Sequence, residues 1–271
     1  MNRAPEPGSA PRRVVSLVPW MTDTMTAFGL DGFLAGVSDS CPLPAAPDRG
    51  KPRVGKPQSP RTEEIVQLHP DLVVAGPGVN PQPAIDALAA AGLPIWTVDP
   101  RTVRESVSLL RDLALMYASE RSLQTVVWLD RAVDWLDRSR PEQSVCVFCP
   151  RSREGAAGSP TGWTVVGADT YTGDLLSLCG GDIVESKTDS PGSPCLTPAD
   201  VAAASPGVIL LPGDPFPFIP GDAETIRTAL PDVPAVRNGK IFVMDGRMLF
   251  WPGWRLGEAI QKLPDMLIPK T

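Results

Sequence analysis

The sequence predicts an α/β protein of two lobes, each built on a parallel sheet and joined by one long helix. Three observations carry this. The stretch Ser119 to Ser139, SERSLQTVVWLDRAVDWLDRS, is long and amphipathic. Short apolar strands alternate with helices of about ten residues on both sides of it. One unit occurs twice: EEIVQLHPDLVVAGPG (Glu63 to Gly78) and ADVAAASPGVILLPGD (Ala199 to Asp214) share the order helix, Pro, apolar strand, Pro-Gly turn.

In the long helix Leu123, Val126, Val127, Val133 and Leu136 recur at steps of three, four or seven, which predicts one buried face. Ser119 suits its N-cap and Glu120 the positive end of the dipole, while Arg138 and Arg140 suit the other end and Pro141 stops the run. A continuous helix of this length spans about 30 Å. Before it, residues 13–18 read as a strand, Met21 to Phe28 as a helix closed by Gly29, and residues 34–38 as a strand. Ser40 to Pro60 is a Pro-rich loop. Then come helix 61–69, strand 71–75, helix 83–91 ending at Gly92, strand 95–98 and helix 102–117. After the long helix the pattern restarts with strand 145–149 and an irregular stretch to Ala168. A helix that Asp169 could cap follows, ended by Gly180 and Gly181. The remainder reads as strand 183–185, a helix from Thr197 to Ala204, strand 208–211, helix 223–230, strand 240–244 and a closing helix 255–267. The expected boundaries are an N-terminal lobe at 12–100, connecting helices at 102–140 and a C-terminal lobe at 144–271.

With 271 residues and 42% hydrophobic content, the chain has material for two cores. The net charge of −6 and the scattered Lys and Arg offer no basic patch to nucleic acid. No apolar run approaches the ~20 residues of a membrane helix, so no membrane-spanning segment is expected. The start MNRAPEPGSAPRR has no apolar core and does not read as a signal peptide, which as written places the protein in the cytoplasm; a periplasmic or cell-surface site would follow if a leader had been removed. Cys41, Cys146, Cys149, Cys179 and Cys195 form no paired framework. The C-x-x-C of Cys146 and Cys149 lies in the strand VCVFC, so reduced buried thiols are expected, not a zinc site.

Catalytic constellations are missing from the chain. It has no G-x-S-x-G, no P-loop and no complete G-x-G-x-x-G. The lone His69 ends a helix before Pro70, where it suits the helix C-terminus. One His cannot build a His-rich cage, so no resident metal or cofactor is expected, and any metal must arrive inside a chelate. Aromatic residues instead collect where strands end. Trp20 follows RVVSLVP, Phe216 and Phe218 follow VILLPGDP, and Phe250, Trp251 and Trp254 follow IFVMDGRML; Trp163 lies in the irregular stretch. Ligands of parallel sheets bind outside the carboxyl ends of the strands, so these rings predict a cleft for a large, flat, partly apolar ligand. Arg255 opens a helix, where its charge adds to the dipole and suits an anionic group on the ligand. Each of these aromatic residues has ordinary core packing as its alternative, and Arg255 has pairing with Glu258.

Six segments, in order, resemble the helical-backbone metal receptors: RVVSLVPWMTDTMTAFGLDGFLAGVSDSCPLP, EEIVQLHPDLVVAG, AGLPIWTVDPRTV, GADTYTGDLLSLCGGDIV, ADVAAASPGVILLP and AVRNGKIFVMDGRMLFWPGWR. These are the substrate-binding proteins of ABC importers for cobalamin, haem and iron–siderophores, and the cobalamin-binding branch is the most similar. The resemblance implies the class III periplasmic-binding-protein-like fold, two lobes on one backbone helix. It also implies a non-catalytic, monomeric receptor for a metal chelate or corrinoid-like molecule, with an importer permease as partner. By position, Trp163 and the segment Phe250 to Trp254 fall on ligand-facing sites, and Arg255 closes the W-x-G-x-R pattern. Glu63 matches a glutamate that docks onto arginines of the importer. The matching position of the second lobe is Ala199, with Asp200 beside it as the expected docking acid of that lobe, one position along the helix. Ser40 and Pro57 stand where cobalamin binders often carry Tyr and Trp. The alternatives are a cytosolic chelatase-like enzyme, for which His69 is a poorly placed base, and a binding module no longer coupled to transport.

Overall fold

Two four-stranded parallel sheets with one and the same strand order carry the chain. In the computed structural model the described residues are 10–42, 50–139, 145–156, 159–184, 195–214 and 216–268. They divide into one unit of Met1–Pro100 with Arg104–Asp130 and a second of Arg101–Val103 with Arg131–Thr271.

The first unit runs β1 (Val14–Ser16), α1 (Pro19–Ala27), a 3-10 turn (Asp31–Phe33), β2 (Leu34–Val37), β3 (Gly55–Lys56), β4 (Ser59–Pro60), α2 (Thr62–Gln67), β5 (Leu72–Ala75), α3 (Gln82–Ala90), β6 (Ile95–Thr97) and α4 (Val103–Met116). Its sheet has the order β2-β1-β5-β6. All four residues of β5 are buried, as a central strand covered on both faces requires. Val15, Leu17, Val54, Ile65, Val73 and Leu88 form the core cluster beneath it. Helix α5 (Glu120–Arg138) follows, and the boundary between the units falls within it, at Asp130 and Arg131. The second unit continues with β7 (Val145–Phe148), β8 (Pro150–Ala156), β9 (Ser159–Val165), α6 (Tyr171–Leu178), β10 (Gly181–Ile183), β11 (Cys195–Leu196), α7 (Pro198–Ala204), β12 (Val208–Pro212), α8 (Pro220–Ala229), α9 (Pro234–Arg237), β13 (Ile241–Met244), α10 (Arg247–Phe250) and α11 (Leu256–Leu267). Its parallel sheet is β10-β7-β12-β13, so β12 takes the place that β5 holds in the first.

The repeated unit has the same backbone in both copies. Helices α2 and α7 end on residues in the left-handed region, His69 at φ 46° and Ser205 at φ 52°, each followed by a buried Pro. The turn they make drops the chain into β5 and β12. Arg13 secures the first copy by donating through Nε to the His69 carbonyl and through Nη2 to the Leu68 carbonyl, at 3.2 and 2.6 Å. These are last-turn carbonyls that the helix leaves without a partner.

Several expectations need correction. The stretch from Pro150 to Ala168, read as irregular, contains the β8–β9 hairpin, which pairs antiparallel and continues to β11. PRSREGA and SPTGWTV lack the apolar alternation by which strands are read. The Pro-rich loop 40–60 holds the short β3–β4 pair. Thr170, not Asp169, caps α6, its hydroxyl accepting from Gly173 N at 3.2 Å. Helices α9 and α10 went unread, each being four residues long. In α5, Val126, Val133 and Leu136 are buried as expected and Leu129 joins them, but Val127 is 49% exposed. It lies one residue beyond Val126, which turns it about 100° away from the core face. Ser119 caps α5 as expected, accepting from Ser122 N at 3.3 Å. Arg140 and Pro141, the expected stop, lie outside the described residues, as do residues 1–9, the Pro-rich centre 43–49 and Glu185. Cys41, Cys149 and Cys179 are buried, whereas Cys146 is half-buried and Cys195 exposed. Burial pushes the Cys149 thiol up to about 12.

Candidate functional site

The second unit gathers charge and aromatic surface at the carboxyl end of its sheet. Strand β13 ends at Met244, and Asp245 and Gly246 lead into α10. Gly246 cannot be replaced cheaply, because a Cβ there would stand 2.0 Å from the carbonyl oxygen of Asp214, which follows β12. This contact brings the ends of the two neighbouring strands together. Helix α10 then carries Arg247 and Phe250, and the corner Trp251-Pro252-Gly253-Trp254-Arg255 leads into α11.

Guanidinium groups and rings interleave there. Arg247 and Arg255 each place Cζ 5.8 Å from the centre of the Trp251 ring. Arg255 also lies 5.1 Å from the Trp254 ring, and Arg151 lies 5.9 Å from Phe250. Trp251 thus has two cations within cation–π reach, and its indole N–H donates to the Asp214 carboxylate. Arg247 grips Asp245 in a fork, Nε to Oδ1 at 2.9 Å and Nη2 to Oδ2 at 2.6 Å. Those bonds hold the Asp245 carboxyl below its ordinary value. Asp214 is exposed as a residue, yet desolvation of its partly buried carboxyl and, next, the charge of Asp245 push it above the ordinary value. Arg255 also approaches Glu258 at 3.7 Å, while Glu258 binds Lys262 more closely, at 2.7 Å. The pairing expected one turn along α11 is therefore present, but long.

Of the expected ligand-facing residues, Phe250, Trp251, Trp254 and Arg255 come together in this cluster, all half-buried. Trp163 sits elsewhere, 1% exposed on β9, its ring edge-on to Phe148 at 5.4 Å within the core. Phe218 is a core residue too, at 3% exposure, and half-buried Phe216 packs on it at 4.7 Å. Trp20, in the first turn of α1 in the first unit, is 6% exposed. Arg151, Arg247, Asp214 and Asp245 escaped the sequence reading. Their signal was an acid within two residues of the end of each of two neighbouring strands, in PGD and MDG.

Strand ends of the first unit hold polar groups instead. Ser16, Thr22, Ser38 and Cys41 form a buried cluster, in which Thr22 donates to Ser16 Oγ at 2.8 Å. Arg53 Nη1 closes it by donating to the carbonyls of Ser38, Asp39 and Cys41. Buried Asn80 accepts from Gly76 N and donates to the carbonyls of Leu17 and Pro57, tying three strand-end segments to each other.

Glu63 lies exposed in the first turn of α2, beside Glu64, which pairs with Arg61 at 2.7 Å. Asp200, equally exposed, is committed to a capping box. Its Oδ2 accepts from Thr197 N and from the Thr197 hydroxyl, at 2.9 and 2.6 Å. Beside it opens a shallow cavity of about 310 Å³ lined by Pro198, Ala199, Ala202, Leu230, Pro231 and Val233, which is separate from the Arg–Trp cluster. His69 is exposed at the end of α2. The Tyr117 hydroxyl donates to the Pro11 carbonyl, and Tyr171 is buried. Among the described residues no three His, Cys, Asp or Glu side chains gather as a metal cluster, and no helix is long and apolar enough to cross a membrane.

Comparison with known proteins is consistent across sequence and structure. The family described as "Periplasmic binding protein" matches residues 14–248. A vitamin B12-binding protein of Yersinia pestis (strain Pestoides F) is 30% identical over 212 residues, covering 76% of this chain and 71% of its own. Among solved structures, the periplasmic vitamin B12 binding protein BtuF of Vibrio cholerae matches with a TM-score of 0.76 at 21% identity, over 95% of this chain and 96% of that one. The periplasmic heme-binding protein RhuT from Roseiflexus sp. RS-1 matches at 0.75 and 25% identity, over 94% and 97%. The two-lobed parallel α/β fold is theirs as well, and the chain belongs to the periplasmic binding protein family.

Proposed function

We propose that this protein is a non-catalytic receptor for a metal chelate of the corrinoid, haem or iron–siderophore class, which it delivers to an ABC importer. The observation that carries the reading is Trp251 with both Arg247 and Arg255 at 5.8 Å from its ring centre, beyond the carboxyl end of β13. An indole offers a flat apolar face, and two guanidinium groups beside it suit carboxylate or phosphate groups on the periphery of a flat ligand. Phe250, Trp254 and Arg151 extend that surface. Trp163, Phe216 and Phe218 support it from the core side by fixing β9 and the end of β12.

The ligand carries its metal already chelated. Of the side chains suited to a bare metal, both phenols are engaged or buried and the one imidazole stands at the end of α2. That the relatives are named for vitamin B12 and haem supports the same class. Docking uses Glu63 on α2; Ala199 leaves the matching position of α7 without a carboxylate.

Absorption and tryptophan-fluorescence titrations with cyanocobalamin, haemin and a ferric hydroxamate siderophore test the reading. One of the three should bind and quench the indoles, and Arg255→Gln should weaken it by ~1.5–3 kcal/mol with an unchanged melting temperature. Binding of none, or equal affinity in the variant, would overturn the assignment of this cluster.

A further inference from the structure

Helix α5 carries a second chemical surface, on the side away from its core. Successive residues advance by about 100°, so Glu120, Arg121, Gln124, Trp128, Arg131, Trp135 and Arg138 fall within an arc of about 100°, three cations against the one carboxylate of the first turn. Their order along the helix is set by α5 alone, over about 26 Å. Trp135 is 64% exposed and Trp128 43%, and Val127 beside them is 49% exposed. The three arginines are exposed as well. On the opposite side Ser122, Val126, Leu129 and Val133 are each at most 2% exposed. The stripe is therefore not leftover core. Leu115, Ile219, Val243 and Ile268 are the other large apolar side chains at the surface of the described residues, and each lies on a different segment.

We propose that this stripe rests on an anionic bilayer surface. Tryptophan has an apolar body and a polar N–H, so it partitions to headgroup depth, while arginines pair with lipid phosphates. Charge complementarity selects the occupant. The chain carries a net charge of −6, so an acidic bilayer repels it in general and attracts it here, which fixes one orientation. A second copy docking through the same face would bring arginines against arginines. A surface contact of this kind holds the receptor where an importer works.

The test is co-sedimentation with phosphatidylcholine vesicles with and without phosphatidylglycerol. The wild type should partition onto the anionic vesicles only, less so as salt rises, with a blue shift of tryptophan emission. Each arginine near the surface is worth roughly fivefold in partition, so Arg121→Gln/Arg131→Gln/Arg138→Gln should lose roughly a hundredfold. Trp128→Ser/Trp135→Ser should abolish the blue shift. Both variants alter only solvent-facing side chains, and their circular dichroism and chelate affinity should match the wild type. Equal partition onto neutral and anionic vesicles, no partition at all, or full retention by the arginine variant would overturn the proposal. So would a wild-type dimer in solution that the same substitutions dissolve.

Discussion

Position within the fold separates tryptophans that look alike in the sequence. Trp163 is sealed against Phe148, so Trp163→Ala should cost about 3–5 kcal/mol in denaturant unfolding whether or not a ligand is present. Trp251 is half-buried, and Trp251→Ala should cost less stability but more affinity. A Trp163 variant that folds with wild-type stability would show that the β9 core is misjudged. The corner Phe250 to Arg255 was legible because its rings and Arg255 are adjacent in the chain. Arg247, Asp245 and Asp214 were not, because what joins them is a strand-end contact between β12 and β13 enforced by Gly246. The two carboxylates should give opposite pH signatures. Asp214 is held above its ordinary value near 3.9, so it binds its proton more tightly folded than unfolded. Its contribution to stability is full at acid pH and is lost as pH rises through the raised value. Asp245 is held below its ordinary value and contributes above it, losing that contribution as pH falls through the lowered one. Urea midpoints of Asp214→Asn should thus gain on the wild type as pH climbs above 3.9, while those of Asp245→Asn fall behind; parallel curves would refute the opposite shifts of the two carboxyls.

Helices α2 and α7 show how one element diverges between two copies of a unit. Both are short, both end in a left-handed residue before Pro, and both bury one aliphatic at the same register, Ile65 and Val201 at 0% exposure. That much was readable, because apolar spacing and Pro set the backbone. What the first turns do was not readable from spacing alone. Glu63 projects into solvent, while Asp200 bonds back to Thr197 and serves its own helix. The expected substitution of Asp200 for a docking glutamate therefore competes with a cap. Capture on a solubilised ABC importer permease should fall sharply with Glu63→Ala and little with Asp200→Ala, which should instead lower the melting temperature. Ala199→Glu should strengthen capture by restoring a carboxylate at the exposed register position. Loss of capture with Asp200→Ala at an unchanged melting temperature would assign docking to Asp200 after all. The β8–β9 hairpin lies at the other extreme, since its polar strands are specified by pairing with each other and with β11, which no local pattern announces.

Across the whole molecule the sheet order is repeated, and each sheet has a cluster drawn from its own unit alone. The repetition was legible in the paired segments 63–78 and 199–214; the three-stranded addition in the second unit was not. Separate clusters have a measurable consequence. Ile65 and Ile209 are both fully buried, one in each cluster, and replacing either with Ala removes three carbons from a packed interior at a cost of about 2–5 kcal/mol. A segment opens more readily when the packing around it is weakened, and segments packed elsewhere keep their own stability. Amide hydrogen exchange should therefore accelerate in β1, β5 and β6 for Ile65→Ala, with β7, β12 and β13 keeping wild-type protection. Ile209→Ala should produce the converse pattern. Helix α5 belongs to both units, with Val126 and Leu129 on one side of the boundary and Val133 and Leu136 on the other. Its amides should respond in halves, residues 120–130 to the first substitution and 131–138 to the second. Uniform acceleration across both sheets in either variant would mean that the two cores open as one cooperative body, and the division drawn at Asp130 and Arg131 would then have no energetic meaning.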